Sequence, residues 1–168
     1  MIFLFVLIFY ASYRVVELMI SKRNEKLLNY PPEVGELQRY MMVMIHTLWF
    51  ASMIVEYIYS TKQLSQNYFL IAVILLFCAT IRTLSIKNLG KYWSTKIFDM
   101  PEEKVITVGL YKHFNQPNYA IVVFELILIP LLFNLRMTAI SFFLINTLFL
   151  YFRIKKENIY LRKRIPNV

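Results

Sequence analysis

Glycine, histidine and cysteine are scarce in this chain of 168 residues, with three, two and one copies respectively. Gly35, Gly90 and Gly109 stand far apart. No clustered glycine turn is therefore available to hold a pyrophosphate, which excludes a Rossmann-type methyltransferase or dehydrogenase. Cys78 lies inside an apolar run, so there is no disulfide framework and the thiol reads as a core residue. Two histidines and one cysteine are too few for a metal or haem site, and no metal is expected. Acidic residues are also few, 10 against 19 lysines and arginines, for a net charge of +9. Such an excess suits nucleic acid, but here the basic residues gather in the connections between apolar runs rather than along one face. That is a membrane pattern, and no nucleic-acid partner is expected.

What the chain does have is apolar length. Hydrophobic residues make up 58% and aromatics 17% of it, against roughly 45–50% apolar in ordinary soluble domains. The runs predict an all-α integral membrane protein, a single membrane-embedded domain over residues 1–168 in contact with the lipid bilayer. Helices are expected at about 2–20, 40–59 and 68–86, each long enough to cross roughly 30 Å of hydrocarbon. The first has no basic leader and no small-residue cleavage site, so it reads as a retained helix. A polar loop from Ser21 to Arg39 follows it, broken by Pro31-Pro32. After a polar stretch from Lys87 to Asn118, with a possible short strand at Lys104 to Val108, two shorter runs at 119–133 and 137–152 flank the turn Asn134-Leu135-Arg136. Each is about 15 residues, roughly 23 Å as helix, which predicts a short hairpin. A basic cytosolic helix, 153–164, ends the chain. Fifteen of the lysines and arginines fall in the stretches 21–39, 87–118 and from Arg153 onward, against two, Lys62 and Arg136, in the other connections. The positive-inside rule then places the N-terminus outside and the C-terminus in the cytosol.

Ionisable groups inside the apolar runs are Arg14, Glu17, His46, Glu56, Arg82 and Glu125. Such groups are costly in lipid and are suspects for function. Arg14 and Glu17, three apart, can pair on one helix face. The plainer reading makes these residues structural pairs or snorkelling ends, and His46 a hydrogen-bonded bundle residue.

Two polar clusters remain. Gly109-Leu110-Tyr111-Lys112-His113-Phe114-Asn115-Gln116-Pro117-Asn118-Tyr119 precedes the hairpin, and Arg153-Ile154-Lys155-Lys156-Glu157-Asn158 follows it. Closing the hairpin brings them together. In order and spacing these residues resemble the isoprenylcysteine carboxyl methyltransferase family, whose pattern is Gly-x-Tyr, Arg-His-Pro-x-Tyr, a helical hairpin and Arg-x-x-x-Glu. Asn24-Glu25-Lys26 and the stretch from Ser85 to Ile97 extend the likeness nearly end to end. They are similar to its short bacterial branch, which methylates alkylpyrones or related products. The resemblance implies a membrane enzyme using S-adenosylmethionine, in a bacterial plasma membrane.

Carried over residue by residue, the resemblance puts the cofactor against Lys96, Val105, Ile106, Tyr111, Gln116, Pro117, Asn118, Tyr119 and Glu157. Arg153 matches the catalytic arginine that faces the acceptor group. The chain has Asn115-Gln116-Pro117 where the family has Arg-His-Pro, so Gln116 can hydrogen-bond but carries no charge. Methyl transfer from a sulfonium asks for alignment and desolvation, with no metal or protein nucleophile. The expected acceptor is a lipid-tailed small molecule with an alkylpyrone-like hydroxyl or a prenylcysteine-like carboxylate. Two other readings stay open: a steroid-reductase-type membrane enzyme using NADPH, and a non-catalytic membrane protein that has lost cofactor binding.

Overall fold

The computed structural model describes residues 1–28, 32–34, 36–61, 63–98, 111 and 117–164. Its elements are helix α1 (Ile2–Leu27), strand β1 (Pro32–Val34), helices α2 (Glu36–Tyr59) and α3 (Tyr68–Leu89), a 3-10 turn (Gly90–Tyr92), strand β2 (Ile97–Phe98), and helices α4 (Pro117–Leu131) and α5 (Arg136–Arg164). Four stretches, Ile2–Leu27, Leu37–Tyr59, Tyr68–Tyr92 and Arg136–Glu157, are long and apolar enough to cross a membrane, and α4 is a shorter apolar helix. The large side chains Phe5, Met19, Phe69, Leu76 and Leu144 are exposed. In water such a surface would aggregate; on a multi-pass membrane protein it is the lipid face.

The bundle has two distinct ends. At the far end the aromatic rings of Phe3, Tyr57 and Phe133 lock α1, α2 and the α4–α5 turn together. Phe3 stacks on Tyr57 with centroids 3.8 Å apart and meets Phe133 edge-on at 5.0 Å. The Ser65 amide donates to the Leu132 carbonyl at 2.9 Å, and Asn134 Nδ2 donates to the Gln63 carbonyl at 3.3 Å. The α2–α3 connection and the α4–α5 turn thus lie at one level, so α4 runs the same way as α2 and ends beside it. Asn134 itself takes the left-handed conformation, φ 59°, that closes this turn.

Within α4, Pro130 has no N–H to give the Leu126 carbonyl four residues earlier. The Trp49 indole of α2 donates to that carbonyl instead, at 3.3 Å inside the core. Glu56 serves the next helix: its carboxylate accepts from the Met137 and Thr138 amides at 3.1 and 2.7 Å. A negative charge on the free amides of a helix start is stabilising, which accounts for a carboxylate in an apolar run.

At the near end several boundaries differ from those expected. Helix α1 continues seven residues past the apolar run, to Leu27. Ser21 and Asn24, one turn apart, are buried there against the turn that follows α3. Asn24 Nδ2 donates to the carbonyls of Gly90 and Trp93 at 3.0 and 2.8 Å, and the Thr95 amide donates to Ser21 Oγ at 2.9 Å. Of the expected polar loop, residues 21–27 are therefore the end of α1, and residues 36–39 are already the start of α2. The remainder includes β1, which pairs antiparallel with β2. Gly90 allows the chain to leave α3 at φ 53°, where a side chain would be strained.

The last helix departs most from expectation. The second hairpin arm and the basic helix are one element, because no glycine or proline lies between Arg136 and Arg164 to stop it. Nothing breaks the helix at Arg153. The possible strand at Lys104 to Val108 lies outside the described residues.

Candidate functional site

Two ionic assemblies are stacked inside the near half of the bundle. The deeper one joins α1, α3 and α4. Arg14 donates to Glu17 Oε2 at 3.1 Å and to Glu125 Oε2 at 2.7 Å. Arg82 donates to Glu125 Oε2 at 3.2 Å and to Glu17 Oε2 at 2.6 Å, with a further bond from Nε to Glu17 Oε1. Two cations meet two anions, so the quartet is neutral as a unit. The expected Arg14–Glu17 pair is present, but it is half of a larger cluster. Arg82 and Glu125 come from separate helices, so no local spacing links them.

Above the quartet opens a cavity of about 420 Å³. Five of the ten expected site residues, Tyr111, Asn118, Tyr119, Arg153 and Glu157, line its polar end. The Tyr119 hydroxyl donates to Glu157 Oε2 at 2.8 Å and accepts from Arg153 Nε at 2.8 Å. Arg153 Nη2 donates to the Thr95 carbonyl at 2.8 Å, and its guanidinium lies 5.4 Å from the centroid of the Tyr119 ring. Arg153 and Glu157 are a helical turn apart on α5, yet among the described residues no ion pair joins them. The phenol stands between and links them. With Arg153 only 4% exposed, the pair is not a solvated surface bridge.

Tyr111 forms another wall, its hydroxyl bonded to Ser85, and burial together with the nearby Glu157 charge pushes its pKa up to about 12. It therefore remains a neutral phenol across the physiological range. Pro117 is buried at the first position of α4, where its missing amide hydrogen costs nothing. Asn118 is among the residues lining the cavity, and its Oδ1 is buried without a partner among the described residues. Lys96 is placed apart: its ammonium is 3.9 Å from Glu25 Oε2, and it is not among the residues lining the cavity. Val105, Ile106 and Gln116 lie outside the described residues.

The other walls were less visible in the sequence. Asn146, with Phe149, Leu150, Arg153 and Glu157, lines the cavity from α5. The spacing of three, one, three and four residues follows a single helical face, the signal that could have picked out Asn146. Ser94 and Thr95 enter from the turn after α3, and Leu7, Ala11, Val43 and Phe50 supply an apolar wall from α1 and α2. The arrangement offers one compartment with a carboxylate, a cation and amide groups at one end and hydrocarbon at the other.

Comparison with known proteins points to one family. The profile of the isoprenylcysteine carboxyl methyltransferase (ICMT) family matches residues 70–163, which include Tyr111, Asn118, Tyr119, Arg153 and Glu157. An uncharacterized protein of Bacillus subtilis, YpbQ, is 33% identical over 147 residues, 86% of this chain and 88% of that protein. An uncharacterized protein of Haemophilus influenzae is 27% identical over 147 residues, 86% of each chain. No solved structure matches the chain. A membrane-embedded cavity with these side chains, within a sequence that matches over more than half its length, places this chain in the isoprenylcysteine carboxyl methyltransferase family.

Proposed function

We infer that the chain is an S-adenosylmethionine-dependent O-methyltransferase working at the membrane–cytosol boundary. The acceptor is an amphipathic, lipid-tailed molecule carrying an alkylpyrone-like hydroxyl or a prenylcysteine-like carboxylate. The observation that carries this reading is a cavity in which the Tyr119–Arg153–Glu157 chain faces an apolar wall. The unpartnered Asn118 oxygen and the Glu157 carboxylate fit the amine and hydroxyl donors of a sulfonium nucleoside. When bound, such a donor supplies an electrophilic methyl group on positively charged sulfur.

The chain's own residues would divide the work. Glu157, Asn118 and Tyr119 hold the donor's polar groups, and Tyr111 walls it with a neutral phenol. Val105, Ile106, Gln116 and Pro117 complete the cofactor-binding set that the family resemblance implies, while Lys96, beside Glu25 and away from the cavity lining, stands apart from it. Arg153 is the catalytic residue in this reading, its fixed charge orienting the acceptor's oxygen. Its bonds to Tyr119 and to the Thr95 carbonyl hold the guanidinium in place. The apolar wall of Leu7, Ala11, Val43 and Phe50 would leave few groups to hold water beside the reacting atoms. The charge asymmetry of the connections supports a cytosolic near end and an external N-terminus.

The test is ligand stabilisation of the purified protein in detergent. S-adenosylhomocysteine is expected to raise the unfolding temperature, and NADPH to leave it unchanged. Stabilisation by NADPH alone would point to the reductase reading, and stabilisation by neither to a protein without this cofactor site.

A further inference from the structure

The roles above leave unexplained a polar set gathered where α1, α2 and the turn after α3 meet. Ser21 and Glu25 lie one turn apart on α1, Arg39 is in the first turn of α2, and Thr95 belongs to the turn. Ser21 and Thr95 are buried, and the Arg39 and Glu25 side chains are nearly as enclosed. Of the four, Thr95 lines the cavity, and Ser21, Glu25 and Arg39 are not among its lining residues.

The hydrogens of this set have one consistent arrangement. A carboxylate only accepts, so Ser21 Oγ gives its single hydrogen to Glu25 Oε1, at 2.8 Å. Towards Thr95 that oxygen can then only accept, and it receives both the amide and the hydroxyl, each at 2.9 Å. Thr95 Oγ1 in turn accepts from Arg39 Nε at 3.0 Å. Arg39 Nη2 also donates to Glu25 Oε1, which closes the ring. The ring runs from a cation through two hydroxyls to an anion, and each hydroxyl donates once.

Thr95 is thus held by its amide and its hydroxyl, and its carbonyl is turned to another task. That carbonyl receives Arg153 Nη2 at 2.8 Å, while Arg153 Nε donates to the Tyr119 hydroxyl at 2.8 Å. The third nitrogen, Nη1, meets the Met42 sulfur, a weak acceptor, at 3.8 Å. A guanidinium is rigid and planar, so two strong bonds on different nitrogens fix its plane. The bond to Tyr119 alone would let it swing.

We propose that Ser21 and Arg39 are positioning residues for methyl transfer, which act through Thr95 to set the orientation of Arg153 toward the acceptor. This rests on the methyl-transfer reading. Opening the ring lets the Thr95 peptide and the guanidinium shift, while Asn118 and Glu157, assigned to the donor, keep their places.

The experiment uses the full-length protein in detergent with S-adenosylmethionine and two acceptors, a long-chain hydroxypyrone and a prenylated cysteine, and follows the better one. Ser21→Ala removes the oxygen that receives both Thr95 bonds. It is expected to lower turnover roughly 10- to 100-fold, the range for a small misplacement of a reacting group, with S-adenosylhomocysteine affinity within about threefold of wild type. In an Arg153→Ala background the same change should cost less than about threefold more, because the group it positions is gone. Arg39→Lys keeps the charge beside Glu25 but lacks the fork that also meets Thr95, and should reproduce Ser21→Ala. Asn24→Ala loosens the same end of α1 without touching the ring. It should lower the unfolding temperature and leave turnover within about threefold. Stabilisation by S-adenosylhomocysteine reports that each variant is folded, and if one ring variant loses it, the other decides. Full activity of a ring variant, equal losses with and without Arg153, or an Asn24→Ala loss matching that of Ser21→Ala overturns the positioning role while the cofactor reading stands. So does loss of that stabilisation in both ring variants, or a wild type that binds S-adenosylhomocysteine but methylates neither acceptor. A wild type that S-adenosylhomocysteine does not stabilise overturns both readings together.

Discussion

The quartet of Arg14, Glu17, Arg82 and Glu125 and the chain of Tyr119, Arg153 and Glu157 use much the same chemistry to different ends. Both bury arginine and glutamate between helices. In the quartet each arginine meets both glutamates, and the charges cancel within the cluster. In the upper chain one guanidinium and one carboxylate are kept apart by a phenol. Buried polar atoms without a partner among the described residues occur in both places, Glu125 Oε1 in the quartet and Asn118 Oδ1 beside the upper chain. A cluster whose charges cancel inside a bilayer ties helices together. One whose cation and anion are held apart beside a cavity is arranged for a ligand.

The contrast is broken most severely from the quartet. Arg82→Ala leaves Glu17 without its strongest partner in a medium that cannot solvate it, and is expected to cost about 3–5 kcal/mol of stability. Thermal unfolding in detergent measures this, and a wild-type melting temperature would show that the quartet does not hold the helices.

In the upper chain the effects should fall on ligands instead. Glu157→Ala is expected to weaken S-adenosylhomocysteine binding by roughly 10- to 100-fold, the range for a lost charge-assisted hydrogen bond. Arg153→Ala should bind it within about threefold of wild type while turnover falls at least 100-fold, a split that marks transition-state rather than ground-state contacts. Calorimetry and labelled methyl incorporation separate the two variants. Equal donor affinity in wild type and Glu157→Ala would remove the carboxylate from the cofactor set.

The smallest effect concerns Tyr111. Its folded pKa of about 12 lies above the ordinary 10.0, so between these values the folded chain keeps a proton that the unfolded chain releases. Stability should fall with rising pH across that window and be insensitive to Tyr111 below it. Tyr111→Phe should flatten the fall, as pH-dependent unfolding would reveal; an unchanged slope would show that the phenol is not buried beside Glu157.

How much of this was legible in the sequence depended on range. Long apolar runs predict helices because every backbone group in lipid must be satisfied within its own segment. The pairing of the two polar clusters followed from a hairpin whose arms are adjacent in the chain. By contrast, α1 extends to Leu27 because Ser21 and Asn24 find partners some 70 residues away, and no local pattern announces that. The break expected at Arg153 rested on a change of polarity, but arginine, lysine and glutamate are as good helix formers as leucine. His46 read as a hydrogen-bonded bundle residue from its solitary place in an apolar run, and its Nδ1 lies 2.8 Å from the Met42 carbonyl of its own helix.

The shortness of α4 has a consequence of its own. At 15 residues it is seven shorter than α3, beside which it packs, a deficit of about 10 Å at 1.5 Å per residue. Its far end is tied by the Ser65–Leu132 bond to the level where α3 begins, so the whole deficit falls at the near end. Asn118 and Tyr119, in its first turn, line the cavity that opens there. The cavity thus opens where the described part of α4 begins, between that first turn and the longer helices around it. A change in the length of α4 at this end would move Asn118 and Tyr119 along the cavity wall, whereas side-chain changes in α1 or α5 would alter the wall and leave those two residues in place.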